Sequence, residues 1–290
     1  MPTENKKYRF LFIHAFSLPP NSKFLRAHHR SDASKEEMLR MKYIHIKHLL
    51  EDVEYDVHPG AVTTYGDWQV ENREEFCHAA AARLPVVRKA CESGKYNAIV
   101  LLGGGEPGAM ESREIGRKFG IPVTSCAFSQ MHIATMLGNK FSVIDFAECH
   151  NMHYYNLVVQ HRFTERCASI RNIGYYHPRP GYTGEPSLHE EAEKAVRGEP
   201  SEAVERALTE AVAAIEEDGA EVITCGCSST FWLRPFIQKG LEEMGWEIPV
   251  LEGYSCAIVL AKMMVDLGVD ASGLKFPGDR PKKWRRKKVF

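Results

Sequence analysis

A chain of 290 residues with 44% hydrophobic residues can bury a substantial core, as one large α/β domain or as two smaller lobes. Its 37 Lys and Arg nearly balance 38 Asp and Glu, for a formal charge of −1, so no global field gathers nucleic acid or an anionic membrane and small-molecule chemistry is the default. Eight cysteines are too sparse for a small disulfide scaffold, the start MPTENKKYRF has no apolar leader, and no run nears eighteen apolar residues; reduced thiols in a cytoplasmic protein that spans no membrane are expected.

The first predicted element is a buried strand over 8–14 (YRFLFIH), stopped by the loop SLPPNS. Met38, Met41, Ile44 and Leu49 recur at helical spacing, and Ser34 with Glu37 makes a capping box, so a long helix is expected over 34–51. A strand over 53–57, a loop over 64–68 and an Ala-rich helix over 72–93 follow. The apolar stretch 97–102 (NAIVLL) then runs as a strand straight into Gly103-Gly104-Gly105-Glu106-Pro107-Gly108, with a helix over 109–119 behind it.

The second half repeats this scheme: strand 122–126, helix 129–138, strand 140–145, helix 148–162 and strand 168–173. A loop of aromatic, Pro and Gly residues (174–186) leads to a helix over 201–218. Strand 221–225, the turn Gly226-Cys227-Ser228-Ser229, helix 231–244, strand 248–251 and helix 255–267 complete the pattern. Short apolar strands alternating with amphipathic helices predict an α/β fold with mainly parallel sheets. The basic end PKKWRRKKVF reads as a solvated or partner-docking tail, not as a nucleic-acid site.

Ligands of open α/β sheets bind beyond the carboxyl ends of the strands, where both special turns fall. Gly103, Gly104 and Gly105 allow close backbone approach to an oxyanion, although a glycine run after a strand also serves as a plain tight turn. GGGEPG is neither a dinucleotide fingerprint nor a Walker loop. Cys227, at an expected helix N-terminus, is predicted to have a lowered pKa and to give and take protons, with Ser228 and Ser229 supplying donors; simple packing is the alternative. Cys225, inside the strand, is the packing case. The histidine pairs 28/29, 45/48 and 150/153 each lack a third ligand, so no metal site is expected. His14, Tyr175, Tyr176 and His177 stand where a ligand or only solvent would meet them.

Four stretches resemble the aspartate/glutamate/hydantoin racemase superfamily, above all its hydantoin racemase branch: GGGEPGAMESREIGRKFGIPV, LGNKFSVID, ERCASIRNI, and EDGAEVITCGCSS running on to IPVLEGYSCAIVLAKMMVDLG. They span residues 98–268 in register, and the first ninety residues match in outline. The resemblance implies two similar lobes, each a mainly parallel sheet flanked by helices, with the active site between them. Lobe one would be 1–125 plus 253–290 and lobe two 126–252. It also implies no metal, no organic cofactor, and a small carboxylate- or carbonyl-bearing substrate; oligomeric state stays open.

In two-base members of that superfamily, one cysteine from each lobe faces each side of the carbon acid. The second matches Cys227; the first falls at Gly103, where this chain has no thiol. The resemblance therefore implies proton transfer by Cys227 with a substitute base, for which Cys126, Cys149, His14 and His150 are candidates. The alternatives are a one-cysteine decarboxylase that protonates an enediolate, as in the arylmalonate decarboxylase type, and a ligand-binding member without turnover. Ser17, after the first strand, is a further candidate for substrate contact. Asp145 and Phe128 stand where the hydantoin branch usually has a small hydroxyl residue and an acid, which implies a different substrate.

Overall fold

The computed structural model describes residues 6–30, 32–182, 187–278 and 283. The first sheet joins β1 (Tyr8–Ile13), β2 (Val53–His58), β3 (Ala98–Leu101) and β4 (Val123–Ser125) in the order β2-β1-β3-β4. The second joins β5 (Phe141–Asp145), β6 (Cys167–Asn172), β7 (Val222–Cys225) and β8 (Val250–Leu251) in the order β6-β5-β7-β8. Every pairing is parallel, and each sheet places its second strand outside its first and then steps across to its third and fourth. The two-lobed α/β architecture expected from the sequence is thus present, with one topology used twice.

Helices cover both faces, which is why the central strands are largely apolar and buried on both sides instead of alternating. Phe10 and Phe12 pack with Leu39, Ile44 and the late residues Tyr254, Ala257 and Ile258, whereas Leu11 and Ile13 pack on the other side with Val87, Ala90 and Ile115. The first-sheet helices are α1 (Lys35–Met38), α2 (Arg73–Glu92) and α3 (Ala109–Lys118). Then come α4 (Cys126–Leu137), α5 (Asn151–Gln160), α6 (Leu188–Val196), α7 (Glu202–Glu216), α8 (Arg234–Glu243) and α9 (Gly253–Asp266). Asn72 and Ser201 cap α2 and α7 by accepting N–H bonds from Glu75 and Val204. We propose lobe boundaries of 1–125 with 253–290, and 126–252; the packing of α9 on β3 and β4 supports this, while α4 touches both sheets.

Three departures from the sequence expectation bear on the site. The long helix expected over 34–51 is only α1 and a 3-10 turn at Lys47–Leu50. Arg40 takes φ 54°, its N–H bonds Glu37 O, and the Met41 N–H bonds Glu36 O, which is a Schellman stop with Arg where Gly is usual. Of the apolar residues beyond it, Ile44 and Ile46 are buried in the core without being helical, and Leu50 is buried from the 3-10 turn. Second, α6 occupies a stretch for which no element is predicted. Third, α8 begins only at Arg234, after a 3-10 turn at Phe231–Leu233. Among the described residues no helix is long and apolar enough to cross a membrane. The basic stretch 281–290 lies outside the described residues except for Lys283, as do residues 183–186 of the loop before α6.

Candidate active site

The first-lobe turn leaves β3 at Leu102 and is fixed from beneath by a wholly buried arginine. The Arg83 guanidinium donates to the carbonyls of Leu102 (2.6 Å), Pro107 (3.0 Å), His14 (3.3 Å) and Ile13 (3.4 Å), tying together the ends of β1 and β3. Burial lowers its pKa to about 10, so it stays cationic near neutral pH with carbonyl dipoles as its counter-charge. Gly103 has φ +99°, a backbone conformation that favours glycine. Behind the turn, Glu106 accepts the Phe128 N–H (2.9 Å) and the His161 Nε2–H (2.5 Å). Burial would raise this carboxyl, but those bonds outweigh it and hold it below its ordinary value.

The second-lobe turn is fixed by a carboxylate instead. Asp145 is fully buried at the end of β5, where Oδ1 accepts the Cys227 N–H (2.9 Å) and Oδ2 accepts His150 Nδ1–H (2.9 Å). A Cβ on Gly226 would lie 2.7 Å from the Asp145 side chain, so only glycine lets that carboxylate sit under the turn. The N–H and hydroxyl of Thr230 both bond Cys227 O, and Arg40 Nη1 donates to Ser228 O (2.8 Å).

The two turns touch. A Cβ on Gly104 would fall 1.9 Å from Gly226 O and 2.7 Å from the Cys227 Cα, so the chains meet backbone to backbone. A cavity of about 360 Å³ opens beside this contact, walled by both lobes. Tyr176, His177 and Pro178, from the loop before α6, line it as well. Arg179 of that loop pairs with Glu71 (2.9 Å) and Glu75 (2.5 Å) of the first lobe, and the His177 N–H bonds Glu71 (2.7 Å). The N–H groups of Gly104, Gly105 and Ser228 have no hydrogen-bond partner among the described residues, which leaves three donors for an oxyanion.

Cys227 is open to the cavity on one side but surrounded by protein on the others. Burial, reinforced by the Asp145 carboxylate, pushes the thiol up to about 12 against the opposing help of Ser229 and Arg40. This corrects the lowered pKa expected from sequence. With α8 starting seven residues later, the positive end of its dipole is not at the sulfur, and that effect fades within one turn. His14 donates from Nε2 to Met38 O (2.9 Å) and is lowered to about 4 by burial, with Arg83 and Arg40 adding repulsion. Burial also acts to lower His150, yet the Asp145 and Glu71 carboxylates outweigh it and raise the imidazole. Its Nε2 is covered and unpartnered.

A family model for Asp/Glu/hydantoin racemases matches residues 48–261, well over half of the chain. The chain belongs to this family. Hydantoin racemase from Pseudomonas sp. (strain NS671) is 29% identical over 189 residues, 65% of this chain and 66% of that protein, so the match spans just under two thirds of the relative's length. Allantoin racemase from Pseudomonas fluorescens superposes with a TM-score of 0.64 at 23% identity, covering 96% of this chain and 99% of that one. A doubly substituted arylmalonate decarboxylase in its liganded form superposes with a TM-score of 0.55 at 11% identity, over 89% and 92%. At these identities the two structures speak for the racemase-family fold.

Within that fold, Gly103, Gly104, Gly105, Cys227, Ser228, Ser229, His14 and His150 all line the cavity. The other candidates do not reach it. Cys126 is wholly buried with Sγ against Leu101 O (3.5 Å), and burial holds its thiol well above the ordinary range. Cys149 is exposed outside the cavity. Ser17 bridges to Val62 as β1 and β2 run on, and its hydroxyl is used on Gly60 O (3.2 Å). Among the described residues no three His, Cys, Asp or Glu side chains are arranged to hold a metal ion. Sequence reasoning missed Arg26, Arg40, His189 and Tyr254, which also line the cavity. Arg40 lay hidden in a helix-like pattern that the chain breaks at that residue.

Proposed function

We propose that this chain catalyses proton transfer at a carbon next to a carboxylate or carbonyl, without a cofactor, in the manner of a racemase or isomerase, with Cys227 as the acid/base. The observation that carries this reading is the place of Cys227, on the cavity side of a turn pressed against the first-lobe glycine turn, beside three unpartnered N–H donors. Family membership supports the isomerase class, as do relatives named for racemising hydantoin and allantoin. His150 is the cavity-lining group best suited to be the second base. Its Nδ1–H is committed to Asp145, which fixes Nε2 as the nitrogen that can take a proton. His14 spends its Nε2–H on Met38 O and titrates near 4, too low for an efficient base at neutral pH.

In this reading His150 removes the proton from one face, the electron pair spreads into the adjacent carbonyl, and the N–H groups of Gly104, Gly105 and Ser228 hold the oxyanion. Cys227 then delivers its proton to the other face. Because Nε2 is covered, this route needs a small displacement of the cavity wall when substrate enters.

A second reading, decarboxylation by the one-cysteine route, is favoured by two observations: glycine at position 103, and a Cys227 thiol that burial keeps protonated. There the bond to a carboxylate breaks, carbon dioxide leaves, the electron pair stays as an enediolate, and the thiol proton goes to carbon. Water restores the thiol. Eight cysteines without a disulfide support a reducing, cytoplasmic setting for either reaction.

Incubation of hydantoins, amino acids and substituted malonates in D2O separates the readings. Deuterium in recovered substrate marks reversible deprotonation; carbon dioxide with one deuterium in the product marks decarboxylation. A Cys227→Ala protein that retained either activity would sink the assignment, and no activity on any class would leave a ligand-binding protein.

A further inference from the structure

Arg26 and Arg40 both line the cavity, and neither meets a carboxylate among the described residues. Arg40 is nearly buried, at 9% exposure, and makes one side-chain hydrogen bond, to Ser228 O, out of the five N–H donors a guanidinium carries. Other arginines of this chain are treated differently. Arg171 binds Asp218, Glu210 and Glu217, and Arg179 binds Glu71 and Glu75. The remaining charges at the cavity are already engaged or peripheral: Lys42 reaches Glu193, Glu37 is held in the cap of α1, and Glu36 is exposed.

The two guanidiniums are close enough that Arg26 disfavours the charge on Arg40. Like charges facing a recessed cavity without a counter-ion are an electrostatic cost that an anion between them would reverse. Arg40 sits at the Cys227 end, on the Ser228 carbonyl, and Arg26 contributes from the segment before a 3-10 turn at Ala27–His29. Phe16, Val70, Phe76 and Leu188 supply apolar wall. His28 and His189, also at the cavity, make no side-chain hydrogen bond among the described residues. Arg40 also adopts left-handed backbone as a non-glycine residue, a local strain that a pure helix stop would avoid by using glycine.

We propose that Arg26 and Arg40 are specificity-determining residues for a substrate that carries a second anionic group, remote from the reacting carbon and seated between the two guanidiniums. The inference rests on the proton-transfer reading for placing the reacting end at Cys227. A guanidinium fork matches the two oxygens of a carboxylate, so a side-chain carboxylate is the group to test.

Two isosteric pairs probe it: 5-(2-carboxyethyl)hydantoin against its side-chain amide, and (4-carboxyphenyl)malonate against (4-carbamoylphenyl)malonate. Affinities are measured by calorimetry at pH 7.5 and low salt on the Cys227→Ser protein, so that turnover does not interfere. In at least one pair the carboxylate member should bind about tenfold tighter or more than the amide, as expected for a charged hydrogen-bonded pair. Arg26→Gln should bring that ratio to within about twofold, Arg40→Gln should lower it, and salt should lower it in the parent. A ratio near one in both pairs, a ratio untouched by both substitutions, or no binding of any of the four at millimolar concentration overturns the proposal. Deuterium exchange by the unsubstituted protein is scored separately. Exchange without carboxylate preference rejects the subsite alone, and carboxylate preference without exchange or decarboxylation rejects the catalytic reading alone.

Discussion

The turns after β3 and β7 hold equivalent places in sheets of the same strand order, yet they are built from opposite materials. The first consists of glycines and is braced by a buried cation, Arg83, that gathers carbonyl oxygens. The second carries a thiol and hydroxyls and is braced by a buried anion, Asp145, that gathers N–H groups. The first supplies shape and bare backbone donors, and the second supplies side-chain chemistry. A duplicated topology therefore offers two matching positions without requiring that both carry a reactive group.

Removing the reactive group tests this contrast most strongly. Cys227→Ala should lower deuterium exchange or decarboxylation by about 10²- to 10⁴-fold, the usual weight of a general acid/base, with the circular-dichroism spectrum unchanged. Survival of activity within a few fold would mean that the second turn is not the chemical one.

Next come the glycines. Gly104→Ala would place a methyl 1.9 Å from Gly226 O and should destabilise the chain by about 3 kcal/mol or more in urea denaturation, because backbone must move on both sides. Gly103→Cys meets only the Ala15 Cβ at 3.2 Å, so its cost comes mainly from φ +99° and should be about 1–2 kcal/mol. Equal costs at the two positions would contradict the backbone contact between the turns.

The imidazoles around the cavity give a pH signature. Burial lowers His14 to about 4 and His177 to about 3, and it also takes His28 and His29 well below the ordinary value. Between the lowered values and 6.5 the unfolded chain binds protons that the folded chain refuses. Stability is therefore greatest above pH 6.5 and is lost as pH falls toward 4, by about 1.4 kcal/mol per pH unit for each such histidine. Denaturation midpoints measured from pH 7.5 to 4.5 check this, and a flat profile would mean that the cavity is wetter and less cationic than described.

The smallest effect concerns the brace itself. Asp145 helps raise the Cys227 thiol, so Asp145→Asn should speed alkylation of Cys227 at pH 8 by about tenfold, one pKa unit, from a parent rate well below that of a free thiol. Mass spectrometry of the labelled peptide reads this directly. A rate that falls would show that the lost N–H anchor matters more than the lost charge.

Legibility from sequence followed locality. Central strands and most helices were readable because periodicity and caps are local signals, and the two turns were readable because glycine runs and a cysteine after an apolar strand are unusual. The stop at Arg40 was not, since Met41 and Ile44 continue a helical spacing that packing uses without a helix. The role of Asp145 was equally hidden. It reads as the last residue of a strand, and only the pairing of β5 with β7 carries it beneath Cys227. The raised thiol pKa was missed because burial and the Asp145 carboxylate cause it, and neither shows in a turn motif; that the following residues wind first as a 3-10 turn was equally hidden. Cys126, Cys149, His14 and His150 looked alike in sequence, and depth and direction separate them only in three dimensions.

The contact between Gly104 and Gly226 has a mechanical consequence. With backbone already against backbone, the lobes cannot press closer at that point, so it acts as a fulcrum. Any rocking of one lobe on the other moves the neighbourhood of that contact, Cys227 included, least and the more distant cavity wall most. Such leverage lets the cavity widen for an arriving molecule while the sulfur keeps its aim.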